Sequence, residues 1–185
     1  MDRAPVISSR LVLGILTLSV VLWAVMVFGT LAHLRQLAGG LEPFDVRPFG
    51  YGVGQARVLL DALGDAGRDF YARVQLRFDA VYPATYALSR GLLLWWLTEH
   101  RRLRAETVAF PLRVMLLILP LGAAGFDYAE NVQIGRMLAA GSTIDSAVIE
   151  AASRMTLFKS LLSSATETCV VVLVAIAGLR WRRGR

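Results

Sequence analysis

The sequence predicts an all-α fold, a four-transmembrane-helix bundle with an extracytoplasmic loop and a short amphipathic helix between helices 1 and 2. Three observations predict it. Apolar residues make up 56% of the 185 positions and the mean hydropathy is +0.54. Four stretches approach the roughly 20 apolar residues needed to cross a hydrocarbon core about 30 Å thick. Arginines, finally, crowd the segments that flank those stretches instead of spreading evenly.

The first span, residues 11–32, carries no charge at all. Arg3 and Arg10 precede it, as they would a secretory leader. The apolar run is too long for a leader, and no small-x-small cleavage site follows, so it reads as a retained membrane helix. The second span, 79–97, contains Arg90 and ends in the interfacial pair Trp95 and Trp96. The third, 107–126, contains Arg113 and Pro120, and the fourth, 155–179, contains Lys159 and Glu167.

Four crossings place Arg3 and Arg10, Arg101, Arg102 and Arg104, and Arg180, Arg182, Arg183 and Arg185 on one side. By the positive-inside rule that side is cytoplasmic, so both termini are expected there. On the other side, Arg35, Arg47, Arg57, Arg68 and Arg73 are balanced by Glu42, Asp45, Asp61, Asp65 and Asp69. Topology accounts for the basic clusters, which argues against nucleic-acid binding. The expected location is a bacterial inner (cytoplasmic) membrane, with the whole chain, 1–185, forming a single integral membrane domain.

Between the first two spans, residues 33–77 open as loop, with Gly39, Gly40, Pro43, Pro48, Gly50 and Gly52 punctuating the backbone. The Gly50-Tyr51-Gly52 triplet reads as a hinge. Val53 to Leu63 then places Ala56, Leu59, Leu60 and Leu63 on one helical face, with Arg57 and Asp61 paired at i, i+4 on another. This is expected to be an amphipathic helix on the outer surface. Gly64 suits its C-cap and Asp65 the next N-cap. From Arg68 no breaker intervenes until Pro83, so the second helix is expected to start outside the membrane, with Asp69, Arg73 and Arg77 pairing along its stem. After Gly141, Ser142-Thr143-Ile144-Asp145 has the form of a capping box, so a fourth helix is expected to run from near Thr143 to about Trp181.

Ionisable groups at membrane depth are costly and normally face the bundle interior with a partner. Three polar stripes therefore stand out. Asp79, Tyr82, Tyr86 and Arg90, spaced 3, 4 and 4, form one on the second helix. Pro83 sits inside it and frees a carbonyl on the preceding turn. Asp127, Glu130 and Asn131 share a face of the third helix, and Lys159, Ser163, Thr166 and Glu167 a face of the fourth. Topology puts Asp79, Asp127, Glu130 and Lys159 near the outer interface, with Arg90 and Glu167 deeper. Lys159 can pair with Asp127 or Glu130, and Arg90 with Glu167. Three carboxylates facing one lysine leave an acidic surplus open to the outside.

The ligand-lining set is therefore Asp79, Tyr82, Tyr86, Arg90, Asp127, Glu130, Asn131, Lys159 and Glu167, and a pure ion-pair network fixing helix register is the plain alternative. Any cofactor is expected to be a divalent cation held by Asp79, Asp127 and Glu130; no haem, zinc or nucleotide site is evident. His33 and His100 fall on opposite sides of the membrane, which excludes histidine-based zinc and Ser-His-Asp chemistry. Cys169 stands alone, so no disulfide framework or CxxC pair exists. HExxH, GxSxG and GxxxxGK are absent.

Three segments carry a resemblance: GYG followed by LGDAGRDFY, then DAVYPATY from Asp79 to Tyr86, and DYAEN from Asp127 to Asn131. Over roughly residues 45–160 the chain resembles an uncharacterised group of small bacterial four-helix membrane proteins. The resemblance implies a shared fold and marks Asp79, Tyr82, Tyr86, Asp127, Glu130 and Asn131; it carries no activity with it.

The favoured functional expectation is a small polytopic protein whose acidic pocket binds a small ligand, a lipid head group or a partner membrane protein. One alternative is an intramembrane metal-assisted enzyme on a lipid-linked substrate, with Glu130 or Asp79 as base and Tyr82 or Lys159 steadying charge. Another is a proton- or ion-coupled transporter, which four helices without a repeat would form only as an oligomer. The first helix, lacking a polar stripe, is expected to pack outside the other three or against a second copy.

Overall fold

In lipid every backbone N–H and C=O must be satisfied within the protein, which a long apolar helix does within its own segment. The computed structural model describes residues 7–98 and 110–183, and all regular structure within them is helical. The basic segment Arg101–Arg104 and His100 lie outside the described residues. Helix α1 runs Ser9–Leu37, α2 Val53–Phe70, α3 Tyr82–Leu97, α4 Phe110–Ala140 and α5 Ser146–Arg183. Three segments are long and apolar enough to cross a membrane, Ser9–Leu37, Phe110–Thr143 and Ser146–Arg180. At 16 residues, α3 covers about 24 Å at 1.5 Å per residue.

Helix α3 is the hub of the bundle, packing on α1, α4 and α5, while α4 and α5 form an antiparallel hairpin. Its side chains are accordingly mostly covered, Leu88 excepted, while α1, α4 and α5 present exposed large apolar residues: Leu13, Phe28, Leu121, Leu161 and Val171 are all more than half exposed. Helix α1 packs on α3 and makes no comparable seam with α5.

The segment joining α1 to α3 folds back as a cap on the α4–α5 turn. Ala56, Leu59, Leu60 and Leu63 are all buried, joining Phe44, Tyr71, Ile134, Met137 and Ile149 in one core. The amphipathic face of α2 is thus spent against protein. Arg57 does not pair with Asp61; it reaches past α2 to the Ile144 carbonyl at 3.4 Å and Ser146 Oγ at 3.2 Å. Gly64 kinks α2 at φ +57°. Asp69 and Arg73 pair at 2.6 Å on the exposed side. The Gly50-Tyr51-Gly52 triplet docks the loop on α5: Tyr51 N–H donates to Ser153 Oγ at 2.9 Å. A Cβ on Gly50, whose φ is +74°, would stand 2.6 Å from that same oxygen.

Two boundaries differ from the sequence reading. The second helix is not continuous from Arg68. It passes through a π-helical turn, Tyr71–Gln75, then one α-turn, Leu76–Asp79, and breaks before α3 begins at Tyr82. Pro83 has no N–H for the Asp79 carbonyl, and Asn131 Nδ2 donates to that carbonyl instead, at 3.2 Å. Tyr128 Oη serves Ala80 O in the same way at 3.2 Å. The capping box at Ser142 is not formed either. Gly141, at φ +64°, opens a tight turn that uses Ser142 and Thr143, and Asp145 Oδ1 caps α5 by accepting from Ala147 N–H at 2.9 Å.

Candidate functional site

The break before α3 and the widened turns around it shape a cavity of about 240 Å³ where α1, α3, α4 and α5 meet the cap. Its walls combine apolar residues from α1, Trp23, Met26, Val27 and Leu31, with polar ones from every other quarter. The first helix therefore closes one wall of the site, contrary to the expectation that it packs outside, because Trp23 and Met26 are needed to cover the polar faces. A second cavity of about 330 Å³ continues along α1 past Ser19, Val20 and Trp23 to Arg90 and Glu167.

The cation on α5 is over-satisfied. Lys159 Nζ donates to Asp127 Oδ1 at 3.2 Å and pairs with Glu130 Oε2. The remaining Glu130 oxygen accepts from Thr156 Oγ1 at 2.6 Å. Glu130 is wholly buried and lies behind the cavity wall, not on it. Deeper in the bundle, Arg90 Nε donates to Glu167 Oε1 at 2.6 Å, with the guanidinium 5.4 Å from the Tyr86 ring centre. Arg113 is used at the other end, where Nη2 donates to the Thr98 carbonyl that ends α3 at 2.6 Å.

The acids on the opposite wall are not matched by cations. Asp79 is buried and lines the same cavity as Asp45. Asp79 Oδ2 accepts from Gln75 Nε2 at 2.9 Å, and Asp45 Oδ2 accepts from Tyr71 Oη. Among the described residues neither acid has an arginine or lysine within salt-bridge distance. Two acids lining one cavity without a cation are stabilised by a proton or by a bound cation.

Neutral donors set this acid pair in place. Gln75, fully buried, is itself fixed by Thr30, whose hydroxyl donates to Gln75 Oε1. Thr30 ends one π-helical turn, Met26–Thr30, and Gln75 ends the other, Tyr71–Gln75. Two such widened turns joined by a side-chain bond at a cavity wall match their usual place at functional sites. Tyr71 takes the Phe44 N–H at 3.1 Å on the oxygen whose proton it gives to Asp45. Burial first, and then the Asp45 carboxylate, push its phenol well above the ordinary value, so it serves as a fixed donor.

The floor is aromatic. Tyr82 and Tyr86 lie with ring centres 6.2 Å apart. The Tyr86 hydroxyl, on a residue only 8% exposed, faces the cavity without a hydrogen-bond partner. Arg90 Nη1 is likewise buried and unpartnered.

Of the residues expected to line a site, the structure brings Asp79, Tyr82, Tyr86, Asp127, Lys159 and Glu167 onto one cavity and Arg90 onto its continuation. Glu130 and Asn131 stand behind it, one holding Lys159 and the other a backbone carbonyl. Asp79, Asp127 and Glu130 do not converge as a metal cage: Lys159 occupies the position between the last two, and no group of three His, Cys, Asp or Glu side chains suited to a metal ion occurs among the described residues. Sequence reading missed Asp45, which it counted only among balancing charges. It also missed Gln75, although the i, i+4 spacing to Asp79 was available, and the aromatic contribution of Trp23.

Compared with known proteins, the chain matches no family model, no curated protein and no solved structure.

Proposed function

We propose that the protein is a four-span membrane protein that binds the cationic group of a small ligand or lipid head group in the cavity between Asp79 and Tyr86. In this reading α3 is the fourth crossing. The termini and the Arg101–Arg104 segment face the cytoplasm of a bacterial inner membrane, and the cap and cavity face outward. The Asp45–Asp79 pair carries the proposal. Buried polar groups are normally satisfied, and here two acids with no salt-bridged cation, a buried unpartnered hydroxyl and the rings of Trp23, Tyr82 and Tyr86 line one space. Carboxylates beside aromatic faces are the chemistry that recognises an organic ammonium.

The metal-enzyme alternative has no such support, because Lys159 takes up Asp127 and Glu130. A transporter reading gains nothing specific from the geometry either, since Arg90 and Glu167 close on one another.

The test is thermal unfolding of the detergent-purified protein with added ethanolamine or choline. At a concentration of about 100 times Kd, binding stabilises by about 2.7 kcal/mol, so a rise in Tm of several degrees is expected. The rise should vanish in Asp79→Asn. No shift with either amine in the folded wild type would remove the proposal.

A further inference from the structure

The cavity is not closed on all sides, and the way it opens restricts what fills it. From the Asp45–Asp79 end it continues inward along α1 to Arg90 and Glu167. Helix α1 is seated on α3 without a matching seam on α5, so the wall between α1 and α5 is incomplete. Trp23, 46% exposed, stands at this gap. Opposite it, the Glu167 side chain is 44% exposed, one turn before Val171, itself 66% exposed, in the apolar run 169–179 of α5. A polar cavity therefore meets the lipid-facing surface along a slot.

Polar groups follow one another along the slot in a fixed order. First come the uncompensated acids, Asp45 and Asp79. One to two helical turns deeper lies the unpartnered Tyr86 hydroxyl, followed after one more turn by the unpartnered Arg90 Nη1. From Tyr82 to Arg90 is about 12 Å along α3 at 1.5 Å per residue. Acceptors at the capped end and unsatisfied donors below them call for a ligand with a positive group outermost and a negative one beneath it. Below that, Val20 and the exposed apolar faces of α1 and α5 offer only hydrocarbon contacts.

Resting on the binding reading above, we infer that the ligand is a zwitterionic aminophospholipid of the same leaflet. It enters sideways between α1 and α5, its ammonium against Asp45 and Asp79, its phosphate against Tyr86 Oη and Arg90 Nη1, and its tails left in the bilayer. The order of charge along the slot matches the order in the lipid. An anionic lipid without an amine would leave the two acids unpaired, and a simple cationic amphiphile would leave Arg90 Nη1 unpaired. Groups left unpaired in a buried site are what discriminates between close analogues.

Native mass spectrometry of the protein taken from nanodiscs of equal phosphatidylethanolamine and phosphatidylglycerol tests this. Charge-assisted hydrogen bonds lost with the wrong head group correspond to about tenfold or more in affinity, so the ethanolamine lipid should remain bound about tenfold more often. Asp79→Asn should erase that preference and Arg90→Gln should lower retention of both lipids, while circular dichroism stays unchanged. Should a variant unfold, wild-type protein decides alone: soluble O-phosphoethanolamine should displace the retained lipid. Equal retention of the two lipids overturns the inference. Binding of soluble phosphoethanolamine or ethanolamine without lipid retention also overturns it, but leaves the binding reading standing. Failure of soluble amines and lipid alike removes both.

Discussion

Lys159 and Asp79 line the same cavity, yet they live in opposite electrostatic regimes. Around Lys159 one cation meets two carboxylates, and Thr156 occupies a further oxygen lone pair, so the group closes on itself. Around Asp79 a second acid, Asp45, lines the same cavity and only neutral donors, Gln75 and Tyr71, attend the two. A buried ion pair is complete without a partner from outside, whereas an acid pair with neutral attendants is complete only with a proton or a cation.

The comparison can be broken most forcefully at Lys159. Lys159→Met would leave Asp127 and Glu130 facing each other in a buried site, and removing one partner of a buried pair costs about 3–5 kcal/mol. Unfolding in mixed micelles should show that loss, and a variant as stable as wild type would mean that the pair is solvated. Gly50→Ala is next. Its left-handed φ and the 2.6 Å approach to Ser153 Oγ predict a loss of about 1–3 kcal/mol, seen as faster proteolysis of the cap before the bundle.

The phenols of the cap sharpen the picture through pH. Burial raises the Tyr71 phenol above its ordinary value, and so it does for Tyr51, with the Glu130 charge the next cause. Below an unfolded-chain value of about 10 both states keep their protons and the full stability is present. Above it the unfolded chain ionises first, so stability falls as pH rises from about 10 towards the folded values. Cap unfolding should therefore steepen above pH 10, and Tyr71→Phe, losing about 1 kcal/mol at neutral pH, should flatten that slope. The smallest effect is expected at Asp79. Asp79→Asn keeps the shape and replaces a protonated acid by a neutral amide, so stability should change by about 0.5 kcal/mol or less, with the amine response lost.

How much of this was legible beforehand depended on whether periodicity or distance carried the signal. The buried face Ala56, Leu59, Leu60 and Leu63 was readable because helical spacing alone defines it. The facing stripes on α3, α4 and α5 were readable because charge in apolar sequence is expensive wherever it occurs. Asp45 was not, since a loop acid after Pro43 and Phe44 has no period, and only the fold of the cap brings it to Asp79. Pro83 announced a freed carbonyl, but that Asn131, 52 residues away in sequence, would serve it is a tertiary fact. The break in helix beside Asp79 was hidden for the same reason: propensity tolerated one continuous helix, and the bonds from Asn131 and Tyr128 made two pieces cheaper.

The account rests on the cavity being a seat for a charged head group and not a water-filled fault between helices. A high-resolution density map of the protein extracted together with its native lipid addresses this directly. The account predicts continuous density from the Asp45–Asp79 carboxyls past the Tyr86 hydroxyl to Arg90, with a tail leaving between α1 and α5. Isolated water peaks in that space, with α1 closed against α5, would contradict it.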